Sequence, residues 1–157
     1  MDAETLHRAL EESNRLRARL YLEIFRAAED RVGREAAIAI LRTAIRHWGA
    51  DQGDGLRCHA PAHFEGLVRD FAGMPDGGRM FDPDCTSEGD GLRMHMRRCP
   101  LQSAWRDAGL SDDDLALMCS IAAEADYGTM ERAGFAVEIE TWKPGHDGCC
   151  VLHVRRA

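Results

Sequence analysis

The side chains best suited to chemistry are concentrated between Arg97 and the C-terminus, a stretch that holds four of the six cysteines. In chain order they are Cys99 within Arg98-Cys99-Pro100-Leu101, then Cys119 and Asp126, then Gly145-His146-Asp147-Gly148-Cys149-Cys150. Thiols serve proteins as nucleophiles, as metal ligands or as small buried apolar groups. Helices and strands are predicted between these positions, so folding could gather them into one pocket.

Cys99 is the best candidate for a nucleophile. A reactive thiol needs a lowered pKa, which nearby positive charge or a helix N-terminus supplies. Arg97 and Arg98 precede Cys99, and Pro100 is predicted to begin a helix directly after it. Asp126 could orient a water molecule or a histidine, although an aspartate at a helix end is more often only a solvated cap.

Alternation of residue type predicts which cysteines face a polar surface. Along the segment 92–97, Leu92, Met94 and Met96 share one face, and Arg93, His95 and Arg97 share the other. Cys99 continues the polar face if the strand extends that far. On the last strand, Cys150 shares a face with Leu152 and Val154, whereas Cys149 shares one with Val151, His153 and Arg155. We therefore predict that Cys150 is a core residue and that Cys149 belongs to a site.

The N-terminal part of the chain predicts a helical hairpin over residues 1–48. Apolar residues recur at helical spacing from Asp2 to Val32, and again from Arg34 to Trp48, with Gly33 between the two segments. The expected buried stripe of the first helix is Leu6, Leu10, Leu20, Ile24 and Ala28, widened by Leu16 and Phe25. The hairpin is expected to be a helical wall of the core or a homodimer contact.

The middle of the chain predicts a loop over residues 49–55 and a helix from His59 to about Phe71. His59 and His63 share a helix face and could bind one metal ion. Ala60, however, stands where the zincin pattern requires glutamate. Exposed or capping histidines are therefore the preferred interpretation.

The region 79–157 predicts the sheet and its flanking helices. A weak strand is expected over residues 79–85, a turn at Gly89-Asp90-Gly91, a short helix from Pro100, and a second helix from Ser111 to about Ala125. A hairpin of residues 135–142 and 149–155 closes the chain. We therefore expect a single α+β domain over 1–157, with helices packed on an antiparallel sheet of about four strands.

Composition excludes several classes of partner. The net charge of −7 argues against nucleic acid, which requires a clustered basic face. No apolar run reaches membrane-spanning length, and the acidic start Met1-Asp2-Ala3-Glu4 does not resemble a signal peptide. A cytoplasmic location is expected, where reducing conditions make a disulfide framework improbable.

The order of these motifs resembles the L-2-amino-thiazoline-4-carboxylic acid hydrolase family. Its proteins are similar in having an N-terminal helical hairpin, a cysteine after a short strand, and a helix bearing a cysteine and then an aspartate. They close with a Gly-x-Asp-x-Cys hairpin, here Gly145 to Cys149. The resemblance implies a hydrolase that opens a small cyclic C–N carboxylate, and it places the family's site residues on Cys99, Cys119, Asp126 and Cys149.

Two mechanisms stay open for such an enzyme. In one, Cys99 attacks the amidine-like carbon, His95 or Asp126 relays protons, and Arg97 or Arg98 holds the carboxylate. In the other, Cys99, Cys119 and Cys149 bind a zinc ion or an iron–sulfur cluster with an open position. The alternative outside enzymology is a ligand or metal sensor that uses the same cysteine pocket. A purely structural role for the cysteines is the third possibility.

Overall fold

The fold combines a long helical hairpin with a small sheet, as seen in a computed structural model that describes all 157 residues. Helix α1 spans Ala3–Val32 and α2 spans Arg34–Gly53. A 3₁₀ helix (Asp54–His59), the short α3 (Phe64–Leu67) and a π-helical turn (Val68–Ala72) follow. The remaining helices are α4 (Pro100–Asp107), α5 (Asp112–Ala122) and α6 (Glu124–Ala133). None of the helices is both long and apolar enough to cross a membrane.

The sheet contains four antiparallel strands in the order β1-β2-β4-β3. Their bounds are β1 Pro83–Glu88, β2 Gly91–Met96, β3 Phe135–Glu140 and β4 Val151–Arg156. The alternation of β2 is confirmed, because Leu92, Met94 and Met96 are buried. The predicted α+β class with an antiparallel sheet of about four strands is therefore confirmed.

Two hydrophobic clusters divide the interior. The first joins α1, α2, α4 and α5 and includes Leu22, Phe25, Trp105 and Trp142. The second lies between the sheet, α6 and the segment around α3, with Met94, Met130 and Phe135 among its members. The structure thus leaves a boundary between a helical cluster and a sheet cluster, and the cavity described below opens along it.

The buried face of α1 differs from the one that periodicity predicted. Leu16, Leu20 and Ile24 are 53%, 58% and 45% exposed, whereas Ala18 and Leu22, which were not in the predicted stripe, are buried. Phe25 is buried as predicted. The difference arises because α1 packs against both α2 and α4, and the indole N–H of Trp105 donates to the carbonyl of Ala18 at 2.8 Å. This bond fixes which side of α1 faces inward. The homodimer through these helices stays a prediction.

Helix α2 continues through the predicted loop over residues 49–55, ending at Gly53. Its glycines allow close packing on α6 instead of ending the helix. A Cβ at Gly49 would overlap the carbonyl oxygen of Ala125, and one at Gly53 would overlap that of Thr129. From the other side, a Cβ at Gly128 would overlap the carbonyl oxygen of Arg46. Composition alone suggested a loop because it cannot distinguish a glycine that breaks a helix from one that a neighbouring helix requires.

Three further predicted boundaries of helices and strands were wrong. The helix expected from His59 begins at Phe64, because residues 54–59 form a 3₁₀ helix that ends at His59. The first strand begins at Pro83, an edge position that tolerates the missing N–H, and not at Arg79. The helix expected to end near Ala125 stops at Ala122, and α6 then extends to Ala133.

Replacing Gly49 by alanine should lower the free energy of unfolding by about 1–3 kcal/mol or more, because the added methyl group displaces the backbone of α6. Urea denaturation of the purified protein measures this. Gly55→Ala is the matched control, since a Cβ there meets nothing within 4 Å. Equal stability of the two variants would contradict the close packing of α2 on α6.

Candidate active site

A cavity of about 380 Å³ lies between the two hydrophobic clusters, and 15 of its 21 lining residues are hydrophobic. Its volume is at the lower end of the range for ligand pockets, roughly 300–1,000 Å³. Its chemistry-bearing lining residues are Arg17, Asp70, Cys99, Cys119, Asp126, Cys149 and Cys150. Four positions that the sequence analysis selected, Cys99, Cys119, Asp126 and Cys149, therefore come together in one cavity.

Cys99 is the N-cap residue of α4, directly before Pro100. Helix α4 is held against α1 by the buried bond of Trp105 to Ala18, which fixes where its N-terminus points. The N–H groups of Leu101 and Gln102 in its first turn favour the thiolate form of Cys99. The sequence prediction that Cys99 precedes a helix start is confirmed.

Cys149 and Cys150 lie just before β4 and not within it. Their backbone pairs with the end of β2: the N–H of Cys149 donates to the carbonyl of Met96, and the N–H of Met96 donates to the carbonyl of Cys150, both at 2.8 Å. The premise of the parity argument, that both residues lie on the last strand, was wrong, because the strand begins at Val151. Cys150 nevertheless packs against the sheet cluster. Cys149 is buried at 5% exposure, Cys150 is only half-buried, and both line the cavity.

The thiol of Cys149 occupies the centre of the cysteine cluster. Hydrogen bonding with Cys119, Cys150 and Cys99, together with burial, raises the pKa of Cys149 above its usual range. Its sulfur lies 3.5 Å from that of Cys150. The hydrogen bond from Cys149 is also the main cause that lowers the pKa of Cys99, against opposing contributions from burial and Asp126. Of these two thiols, Cys99 therefore ionises more readily and Cys149 less readily.

Asp126 projects into the cavity from the first turn of α6. Its side chain forms no hydrogen bond or salt bridge within the protein. Burial raises the pKa of Asp126 to about 6, and Arg17 only partly opposes this effect. A carboxyl group with such a pKa can accept and return a proton near neutral pH.

Asp70, the other carboxylate of the cavity, has the opposite environment. Hydrogen bonds from Arg69 and His59 hold the pKa of Asp70 well below its usual range. Nε2 of His59 lies 2.9 Å from Asp70, and its Nδ1 lies 3.4 Å from that of His63. His59 is buried at 3% exposure, contrary to the preferred interpretation of an exposed or capping histidine, while His63 is exposed. Neither histidine lines the cavity.

His95, Arg97 and Arg98, which were expected to bind the substrate, are not among the residues that line the cavity. Nε2 of His95 lies 3.2 Å from the carbonyl oxygen of Asp147. Arg97 pairs with Asp82 at 2.9 Å, and Arg98 pairs with Glu11 at 3.6 Å. The expectation assumed that β2 continues to Cys99, but β2 ends at Met96 and the chain turns into α4.

The helical hairpin contributes cavity residues that the sequence analysis did not select: Asn14, Arg17, Trp48 and Gln52. Asn14 and Arg17 are three apart, so they share one face of α1. They also fall in the gap between Leu10 and Leu20 in the predicted apolar stripe. Polar residues within such a gap were the available signal for a site on this helix.

The metal-ligand prediction for Cys99, Cys119 and Cys149 has no support from the donor arrangement. No group of three or more His, Cys, Asp or Glu side chains is placed so that it could hold a metal ion. All six cysteines are free thiols, and those in the cluster contact one another through Cys149. The geometry therefore supports a thiol network, and no step through zinc or an iron–sulfur cluster is derived from it.

Comparison with known proteins identifies the family. The model of the L-2-amino-thiazoline-4-carboxylic acid hydrolase family matches residues 13–154. The chain therefore belongs to this family, as its motifs predicted. No curated protein and no solved structure matches it.

The environment of Asp126 predicts a pH dependence of stability. Since the pKa rises from 3.8 in the unfolded chain to about 6, the folded state binds more protons between these values, and stability falls as pH rises through them. Asp126→Asn removes this fall. The free energy of unfolding of the variant should therefore increase relative to that of the wild type between about pH 4 and pH 7. Urea denaturation across this range measures the increase.

Asp70→Asn is the control of opposite sign. The lowered pKa of Asp70 stabilises the folded state above the unfolded value of 3.8, and this contribution is lost on acidification. The free energy of unfolding of Asp70→Asn should therefore fall furthest below that of the wild type near neutral pH. If the curves of Asp126→Asn and the wild type run parallel, Asp126 does not have the predicted environment.

Proposed function

We propose that this member of the L-2-amino-thiazoline-4-carboxylic acid hydrolase family opens the ring of a thiazoline or similar cyclic amidine carboxylate, with Cys99 as the nucleophile. One observation carries the proposal: Cys99 is the N-cap residue of α4 and lines the same cavity as Cys149, and its interactions with Cys149 and with the N–H groups of α4 lower the pKa of its thiol. A thiolate stabilised in this way is nucleophilic at neutral pH.

The first half of the reaction is attack by Cys99. Its sulfur forms a bond to the ring carbon of the C=N group, and the π electron pair moves to nitrogen, which takes up a proton. The lone pair of a nitrogen still attached to the tetrahedral carbon then re-forms a C=N bond as a ring heteroatom is expelled, and this heteroatom leaves with the electron pair of the broken bond and is protonated. The ring is now open, and its former C=N carbon is attached to Cys99.

The second half releases the product. Water attacks the carbon bound to Cys99, a carbon–oxygen bond forms, and the carbon–sulfur bond breaks with its electron pair returning to sulfur. The net change is the addition of one water molecule and the cleavage of one ring bond. The thiolate is regenerated, and the hydrogen bond from Cys149 stabilises it as a leaving group just as it stabilises the nucleophile.

Asp126 is suited to the proton transfers in both halves. Burial places its pKa at about 6, so near neutral pH the ionised form predominates while the protonated form stays accessible. As an acid it can protonate the departing ring heteroatom, and as a base it can take a proton from the attacking water. Asp70 is less suited, because Arg69 and His59 keep it ionised.

The cavity suits a small, partly apolar ring. Its mostly hydrophobic lining limits water, so unintended reactions of the covalent intermediate are suppressed. Leu101 and Trp105 from α4 line the cavity together with Met96 from β2, and all three are buried. These side chains form a rigid wall beside Cys99 that can hold a planar ring.

Cys99→Ser should lower kcat/KM for L-2-amino-thiazoline-4-carboxylate by about 10³-fold or more, because a serine hydroxyl cannot replace the thiolate. Ring opening is measured by loss of the C=N absorbance and by mass spectrometry of the product. Cys58→Ser is the matched control, since Cys58 is exposed and does not line the cavity. The wild-type enzyme should keep its activity after chelator treatment.

Three results would argue against the proposal. Loss of less than tenfold in Cys99→Ser excludes Cys99 as the nucleophile. Loss of wild-type activity on chelation, restored by a metal, favours the metal mechanism. Tight ligand binding by the wild type without turnover, across a panel of cyclic amidines and thiazolines, favours the sensor.

A further inference from the structure

We infer that Arg17, on the helical hairpin, binds the carboxylate of the substrate and so selects rings that carry one. The inference rests on the proposed function for the identity of the ligand, but it concerns a residue outside the cysteine motifs. It also replaces Arg97 and Arg98, the arginines expected from the sequence, which pair with Asp82 and Glu11 outside the cavity.

Arg17 is the only basic side chain among the residues that line the cavity. It forms no salt bridge, and its guanidinium forms one hydrogen bond, from Nη2 to Oδ1 of Asn14 at 2.7 Å. Its Nε is buried and has no hydrogen-bond partner. A buried donor without an acceptor is costly, so this arrangement suits an arginine that receives its partner from a ligand.

The guanidinium is held in place from two sides. Its central carbon lies 4.9 Å from the centre of the Trp48 ring and 5.9 Å from that of Tyr21. Asn14 is fixed in turn, because its amide nitrogen donates to the carbonyl of Leu10 at 2.9 Å and contacts the sulfur of Met80 at 3.1 Å. The amide oxygen is thereby directed at Arg17. A guanidinium oriented in advance binds a carboxylate with less loss of side-chain freedom.

Neither of the two carboxylates that line the cavity forms a salt bridge with Arg17. Asp70 is hydrogen-bonded by Arg69 at 2.6 Å and 2.9 Å. Asp126 forms no salt bridge with Arg17, and its pKa stays raised by burial despite the positive charge of Arg17. The charge of Arg17 is therefore left available to an anion in the cavity.

Arg17 and the cysteines reach the cavity from different elements of the fold. Arg17 and Asn14 come from α1, whereas Cys99 and Cys149 come from α4 and the segment before β4. A ring whose carboxylate binds Arg17 can present another of its atoms to Cys99. A ring without the carboxylate would not be held in this orientation. The protein should therefore bind rings that carry a carboxylate in preference to rings that lack one.

The test measures equilibrium binding, independently of turnover. The probe is thiazolidine-4-carboxylate, which keeps the five-membered ring and the carboxylate but has a saturated carbon in place of the C=N group that Cys99 would attack. Its Kd is measured by titration calorimetry with the wild type, Arg17→Gln, Arg17→Lys and the control Arg8→Gln. Arg8 lies on the same helix, is exposed and does not line the cavity.

We expect Arg17→Gln to weaken binding about 30-fold or more, from the loss of a charge-assisted contact. Arg17→Lys should show an intermediate loss because it keeps the charge without the planar fork. Arg8→Gln should match the wild type. Thiazolidine without the carboxylate should bind weakly and equally to all four proteins. Circular dichroism and thermal unfolding confirm that the variants are folded.

The inference is overturned if Arg17→Gln binds thiazolidine-4-carboxylate as tightly as the wild type, or if the wild type does not bind it at millimolar concentration. It is also overturned if Arg17→Gln weakens binding of the ring without the carboxylate to the same extent. Failure of the proposed function has a different signature: carboxylate binding that depends on Arg17, with no ring opening by the wild type.

Discussion

The close contact of α2 with α6 is the constraint on which the site depends. Gly49 and Gly53 of α2 and Gly128 of α6 leave no room for a Cβ, so the two backbones meet directly. Thr129 strengthens the contact, since its hydroxyl donates to the carbonyl of Gly49 at 2.8 Å. This contact holds the start of α6, and with it Asp126, at the boundary between the helical and sheet clusters. Without it the cavity would lose the carboxyl group of Asp126 and the wall that Trp48 and Gln52 provide.

The second requirement is the separation of charge within the cysteine cluster. Four similar thiols line one cavity, yet their surroundings differ. Cys99 has the first turn of α4 and the hydrogen bond from Cys149, whereas Cys149 has three neighbouring cysteines and no compensating positive charge. Ionisation of Cys99 is therefore favoured over ionisation of Cys149. The two carboxylates of the cavity also differ because their surroundings differ. Arg69 and His59 keep Asp70 ionised, whereas burial raises the pKa of Asp126 to about 6.

Local patterns predicted much of this fold, and the errors have identifiable physical causes. The α+β class, the alternation of β2 and the helix start after Cys99 follow from periodicity, turn residues and Pro100, which are local properties. The length of α2 and the buried face of α1 depend on contacts with α6 and α4, which the local sequence does not encode. Within the site, Cys99, Cys119, Asp126 and Cys149 were selected from motif order. Arg17 was missed because it is one of six arginines in α1, and an arginine in a long amphipathic helix looks like solvated surface until its environment is known.

The central claim is that the surroundings of Cys99 make it the thiolate of the cluster. The most direct measurement is the rate of Cys99 alkylation by iodoacetamide as a function of pH, located by peptide mass spectrometry, in the wild type and in Cys149→Ala. We expect a midpoint clearly below the value of about 8.5 for a free cysteine, and a higher midpoint in the variant. A wild-type midpoint at or above the free-cysteine value, or one that Cys149→Ala leaves unchanged, would contradict the claim.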